Sequence, residues 1–248
     1  MGKLITIKDS EEVSLHFTEG ETITLISESE EVHLDYQLEN GDYQILFFHR
    51  NDTPLKLYET GKIVNAHAVI KYLEVGRNSL VQDNRIDVYR DSSLEIQSVY
   101  LGYGDKKISY LLTNKEAYSE TKISNNVVAL DDSDFFMEVT GKIESQARYA
   151  KAHQKSRCLT IGHPKKAGVK PVLLIDNNEV EASHSLSSGT IDEDVLFYMN
   201  SRGLSEKDAL SLLLRSYLIP NESFYEGFPM AEDIAKEARE KVDDVCSM

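Results

Sequence analysis

From Leu4 to Ala182 the chain is a succession of short apolar segments, several of them alternating apolar and polar residues, as in Leu94-Glu95-Ile96-Gln97 and Thr22-Ile23-Thr24-Leu25. A side-chain period of two is the signature of a strand that buries one face. The segments read as strands at Leu4–Ile7, Val13–Phe17, Thr22–Ile26, Val32–Leu38, Tyr43–Phe48, Leu55–Tyr58, Ala66–Tyr72 and Ile86–Tyr89. Further strands follow at Leu94–Val99, Ile108–Leu112, Tyr118–Ile123, Val127–Leu130, Phe135–Val139, Val172–Ile175 and Glu179–Ala182. They begin every ~8–12 residues. Turn-forming clusters part them at Glu39–Asp42, Asn51–Pro54, Gly102–Asp105 and Asp131–Asp134, and only five prolines interrupt the chain. This spacing fits a β-sandwich, a barrel, or a β-helix whose rungs of ~20–25 residues stack by parallel pairing. No hexapeptide or nonapeptide repeat is visible, and the pattern alone does not choose among the three.

After Ile191 the period changes. Asp192-Glu193-Asp194 places negative charge where a helix begins and its free N–H groups favour it. Val195, Leu196, Met199 and Leu204 follow near a 3.6 period, and Gly203 supplies a left-handed helix end. Ser205 and Asp208 have the spacing of a capping box for a second helix, which carries Ala209, Leu210, Leu212, Leu213, Leu214 and Tyr217 and stops before Pro220. Phe224–Pro229 reads as a linker and Met230–Val245 as a third, highly charged helix. The organisation is therefore a β body over 1–190 and a helical region over 191–248.

Composition removes several function classes. Apolar runs reach only four to six residues, as in Val172–Ile175, so none spans a bilayer. The N-terminus lacks an apolar signal core, so a cytoplasmic protein is expected. Two cysteines, Cys158 and Cys246, provide neither a disulfide framework nor an all-cysteine zinc or iron–sulfur site within one chain. The net charge of −15 argues against nucleic acid and anionic membrane as partners. One stretch departs from this. Between Ser145 and Ile175 there is no acidic residue, and Arg148, Lys151, Lys155, Arg157, Lys165, Lys166 and Lys170 stand together. Such an island meets an acidic partner or phosphate, or is simply a solvated face.

Candidate ligands are few. His184 lies between the last strand and the first helix, where a histidine serves as a metal ligand, a pH-sensitive group or an ordinary hydrogen-bonding side chain. His153, Cys158 and His163 are spaced by five, and that odd spacing reverses the face of a strand, so they do not share one side. No Walker-A loop, Gly-x-Ser-x-Gly elbow or His-Glu-x-x-His helix occurs. Asp131-Asp132-Ser133-Asp134 lacks the glycine and closing glutamate of a calcium loop and reads as a turn.

A longer pattern emerges downstream. It runs Pro171-x-Leu173-x-Ile175, Val180-Glu181-Ala182-Ser183-His184 and Gly189-x-Ile191-Asp192, then continuously from Leu196 to Ala209 as Leu-Phe-Tyr-Met-Asn-Ser-Arg-Gly-Leu-Ser-Glu-Lys-Asp-Ala. This order resembles the SufB/SufD family of the SUF iron–sulfur cluster assembly system, over Pro171–Leu218. The resemblance implies a right-handed parallel β-helix followed by helices. It implies a scaffold or accessory subunit, not an enzyme by itself, that pairs through its β-helix with a SufB/SufD-like second chain or a copy of itself. It also implies that a SufC-like ABC ATPase docks on the C-terminal helices, here with Leu196, Phe197, Tyr198, Arg202, Gly203 and Leu204 at the contact. His184 matches a family histidine at the dimer seam, implicated in handling iron or an iron–sulfur cluster held transiently there. Ser185 follows it where SufB-like chains have glutamate, so the local sequence is more SufD-like. Cys158 falls two residues from the place of a SufB cysteine and is carried as a second metal-site candidate. The competing readings of the same chain are a β-solenoid enzyme acting on carbohydrate through clustered carboxylates, and a metal-binding module built from His153, Cys158, His163 and His184.

Overall fold

The structure is a computed structural model that describes residues 2–246. Ser247 and Met248, at the end of the expected helical region, lie outside the described residues, as do the side chains of Glu11, Val245 and Cys246. The strands are β1 (Lys3–Ile7), β2 (Glu11–Phe17), β3 (Thr22–Ser27), β4 (Glu31–His49), β5 (Leu55–Glu74), β6 (Leu80–Val88) and β7 (Ser93–Gly102). They continue with β8 (Asp105–Asn114), β9 (Glu120–Ala129), β10 (Asp134–Ile143), β11 (Lys151–Thr160), β12 (Lys166–Ile175) and β13 (Glu181–Thr190). Every pairing between them is parallel, in the order β12-β10-β8-β6-β5-β7-β9-β11-β13 with β1 to β4 joined at one end. The result is a parallel β-helix of about six turns, the solenoid among the three architectures the strand spacing allowed.

Each turn has two walls. Wall A holds β2, the first half of β4 and of β5, then β6, β8, β10 and β12. Wall B holds β1, β3, the second half of β4 and of β5, then β7, β9, β11 and β13. The corner from A to B has a left-handed residue in five successive turns: Asn40, Asn65, Asp91, Tyr118 and Tyr149, with φ between 48° and 61°. Asparagine and aspartate tolerate this region, and Asn65 Nδ2 donates to Asn40 Oδ1 at 2.8 Å. Tyrosine does so at greater cost, and the Tyr118 and Tyr149 rings stack at 5.2 Å on the outside of the corner.

Stacking puts residues ~25 apart in sequence directly above one another. The wall B interior has a column of Ile45, Ile70, Ile96 and Ile123, each at most 1% exposed. Burying one such side chain stabilises by ~1.5–3 kcal/mol, and the column supplies a dry spine. Beside it the lumen is polar. Glu59 is 1% exposed and accepts hydrogen bonds from Tyr36 Oη at 2.6 Å, from Tyr72 Oη at 2.7 Å and from Asn84 Nδ2. Further along, Tyr100, Tyr110 and Gln82 bond to one another, and Ser98, Asn125 and Ser156 form a rung-to-rung ladder.

The helices are α1 (Glu193–Ser201), α2 (Glu206–Leu218), α3 (Glu222–Tyr225) and α4 (Ala231–Cys246). The last three cover the outside of wall B, where Ile26, Leu46, Phe48, Leu73, Val99, Leu101 and Val128 meet Leu214, Leu218, Phe224, Phe228, Ile234, Ala238 and Val242. Polar ties fasten them: Lys71 Nζ donates to the Phe224 carbonyl at 2.9 Å between the rings of Phe224 and Phe228, and Arg50 and Lys241 pair with Glu237 and Asp52. Phe224–Pro229 is thus a packed element and not the free linker its composition suggests.

Several local readings change. Glu39–Asp42 is no break, because Asn40 and Gly41 bend β4 without ending it. Tyr118–Ile123 and Val127–Leu130 belong to one strand, β9, whose middle residue Asn125 satisfies its amide in the lumen. Strand β11, Lys-Ala-His-Gln-Lys-Ser-Arg-Cys-Leu-Thr, has too few large apolar residues to be seen by pattern. It forms because β9 supplies a complete ladder beneath it and Ala152, Gln154 and Ser156 fit the lumen.

Candidate functional site

The last turn, β12 and β13, has no turn above it. Every residue of β13 is exposed, and in β12 only Val169 is buried. Strand alternation still assigns each residue a side. Ala182, His184, Leu186 and Ser188 register with the inward residues Ala152, Gln154, Ser156 and Cys158 of β11. His184 therefore sits within β13, not in the strand-to-helix junction that its flanking serines suggested. It continues the Ile45, Ile70, Ile96, Ile123, Gln154 column and stands over the mouth of the lumen. Beneath it Gln154 gives its Nε2 hydrogen to the Val172 carbonyl at 3.0 Å and leaves Oε1 buried without a partner. Two strand edges of ten residues each are left unpaired there, with Leu174, Ile175 and Leu186 at 38–48% exposure. Such edges are templates for another chain.

The four nominated ligands do not converge. Cys158 points into the lumen and is 4% exposed. Burial pushes its thiol above the ordinary range, which disfavours the thiolate that binds metal. Four residues along the strand and one strand across put it ~14 Å from His184 in backbone terms, too far for a shared ion. His153 faces outward, with Nδ1 2.8 Å from Ser183 Oγ, and His163 lies exposed on the turn after β11. Among the described residues no three His, Cys, Asp or Glu side chains cluster in a metal-holding arrangement. Of the four, only the His184 imidazole stands at the mouth.

The basic island is also redistributed. Arg148 pairs with Glu179 at 3.1 Å, Lys151 with Glu181 at 3.6 Å, and Lys170 with Glu138 at 2.7 Å. These acids lie outside the stretch in sequence, but stacking places them one turn away. Lys166 lies over the Phe136 ring at 4.3 Å. Three of the island's seven cations are thus ion-paired on a solvated face, and Lys155 and Arg157 remain exposed on β11.

Beyond the β-helix stands α1. Asp192 caps it by accepting from the Asp194 N–H at 2.9 Å, and Gly203 at φ 93° ends it, with Leu204 N–H reaching back to the Met199 carbonyl. Ser205 Oγ then accepts from the Asp208 N–H at 3.1 Å and starts α2. The caps read from sequence are in place. None of the α1 residues is buried: Phe197 is 74% exposed and Tyr198 58%, with Arg202 over the Tyr198 ring at 5.3 Å. Leu196 and Leu204 are half-buried beside them. Val195 and Leu212 are also exposed, at 40% and 47%, although helical periodicity alone assigns Leu212 to the core. A strip of this kind is unusual on a surface with no partner.

Two carboxylates, Asp35 and Asp87, line a groove on wall A. Hydrogen bonds from His16 and Thr60 hold Asp35 below the usual carboxylate range, and Lys115 lies 3.6 Å from Asp87. No helix among the described residues is long and apolar enough to cross a membrane.

Comparison with known proteins identifies a family and several relatives. Residues 48–217 match the family model described as SUF system FeS cluster assembly, SufBD core domain. The chain is 30% identical over 152 residues to the iron–sulfur cluster assembly protein SufD of Bacillus subtilis, covering 59% of this chain and 35% of that one. It is 26% identical over 229 residues to an iron–sulfur cluster assembly SufBD family protein of Pyrococcus horikoshii, covering 87% of this chain and 50% of the other. It thus spans about a third to a half of the length of these relatives. Since the core-domain match extends over more than half of its residues, the chain belongs to the SufB/SufD family.

Proposed function

We propose that the chain is a non-catalytic scaffold subunit in iron–sulfur cluster assembly. Its open last turn meets a second SufB/SufD-like chain or a copy of itself, and its α1–α2 strip receives a SufC-like ABC ATPase. The observation that carries the reading is the uncovered β12–β13 turn with His184 at the mouth. The paired chain covers the free strand edges and brings the further ligands that one imidazole lacks, so that iron or a nascent cluster, as cargo, rests at the seam. Phe197, Tyr198, Val195 and Leu212 give the ATPase an apolar anchor, with Arg202 beside it. Nucleotide-driven motion of the ATPase then acts through α1 and α2 on the β-helix, to which α2 is packed. The cytosol supplies both ATP and the reducing conditions such a cargo needs.

Anaerobic reconstitution with iron and sulfide, with the partner chain and the ATPase present, tests this. A His184→Ala chain is expected to keep its fold, since the residue is exposed, and to lose cluster absorbance. Undiminished loading removes His184 from the reading. Phe197→Ser with Tyr198→Ser is expected to abolish ATPase co-purification. That pair is a better probe than removal of the whole helical region, which would strip the cover from wall B.

A further inference from the structure

We propose that wall B carries a binding site for a phosphorylated sugar or polyol, with the phosphate on β9 and β11 and the organic part in the groove under α2 and α3. Two cations and two uncharged donors form the anchor. Ser124 registers with Lys155 and Asn126 with Arg157, so the four side chains make one compact outward block on adjacent strands. In a chain of net charge −15, Arg157 has no carboxylate partner among the described residues; its guanidinium lies over the Tyr217 ring at 5.7 Å. Its planar fork is therefore free on the donor edge and held in orientation by the ring. Arginine with lysine and amide or hydroxyl donors is the chemistry that recognises a phosphoryl group.

Ser124 and Asn126 of the block line a groove of about 500 Å³ between the strands and the α2–α3 connection, and Asn126, Ser216 and Tyr217 also line the neighbouring recess that holds Arg157. A volume of this size suits a small molecule. Its lining is rich in hydroxyls and amides, including Gln97, Ser223 and Asn221, with Pro220 and Phe224 at the far side. That surface favours a hydroxylated ligand over a flat apolar one. Glu95, beside Gln97 on β7, is engaged by Lys122 at 3.1 Å and by Gln97.

Calorimetric titration of the full chain with ribose 5-phosphate, inorganic phosphate and ribose, at low salt, tests the site. Ribose 5-phosphate is expected to bind, and more tightly than either part alone. Arg157→Gln should weaken it at least about tenfold, the usual scale for one lost charge-assisted contact. Lys107→Gln, which removes an exposed cation from wall A, should leave it unchanged. Thermal unfolding of both variants should match the parent, because both positions are exposed. No heat up to about 10 mM ligand, a range that reaches very weak complexes, overturns the proposal. Equal losses in the two variants overturn it in favour of diffuse attraction. Equal affinity for ribose 5-phosphate and inorganic phosphate removes the groove from it.

Discussion

Replacing Glu59 by glutamine should make the protein more stable at neutral and alkaline pH. Glu59 is fully enclosed in the lumen, and burial raises its carboxyl from 4.5 to about 7 despite the hydrogen bonds from Tyr36 and Tyr72, which act the other way. The folded chain thus binds this proton more tightly than the unfolded chain does. By linkage, the contribution of Glu59 to stability is most favourable below pH ~4.5 and declines as pH rises through ~7. Above that it stays at its least favourable value. The difference of about 2.5 pH units corresponds to ~3 kcal/mol. Glutamine carries no charge to desolvate. Asn84 Oδ1 is buried with no partner, so a turned Asn84 amide can accept from the new Nε2 while the tyrosine hydroxyls rotate. Urea unfolding of Glu59→Gln and the parent at pH 5, 7 and 8.5, followed by circular dichroism, isolates the effect. Only the difference between the two chains is used, because the many surface carboxylates titrate equally in both. An advantage of up to ~3 kcal/mol at pH 8.5 that shrinks toward pH 5 is expected. A glutamine chain less stable at every pH, by a constant amount, would mean that the three donors outweigh desolvation, and the argument fails.

Other positions yield sharp expectations. Ile96→Ala, in the dry column, should cost ~2–5 kcal/mol in chemical denaturation; a loss near zero would mean the column is not continuous. Tyr149→Val should destabilise by ~1–2 kcal/mol although the side chain is half exposed, because a β-branched residue is strained at φ 59°. Tyr149→Asn should be nearly neutral in the same melt, with the loss of the Tyr118 ring contact offsetting the relief. Cys158 should resist iodoacetamide in the folded chain and react on denaturation. Rapid native labelling of the Cys158 peptide, read by mass after digestion so that Cys246 is counted apart, would place Cys158 on the surface.

How far each of these features can be read before folding depends on the distance over which it is decided. Period-two alternation marks Leu94–Val99 and Ile108–Leu112 as strands because each residue's neighbours two places away share its face. The α1 and α2 ends follow from Asp192, Gly203 and Ser205, whose caps act within three residues. The ordered motifs from Pro171 to Leu218 carry the family resemblance. Only the tertiary structure decides what depends on residues a turn apart. Strand β11 exists because β9 offers it a ladder, Glu59 is costly because Tyr36 and Asn84 enclose it, and Arg148 is neutralised by Glu179. His184 looks like a junction residue in one dimension and a capstone over the lumen in three. Its exposure follows from a stack that ends there, and stacking order is a long-range property that no local period encodes.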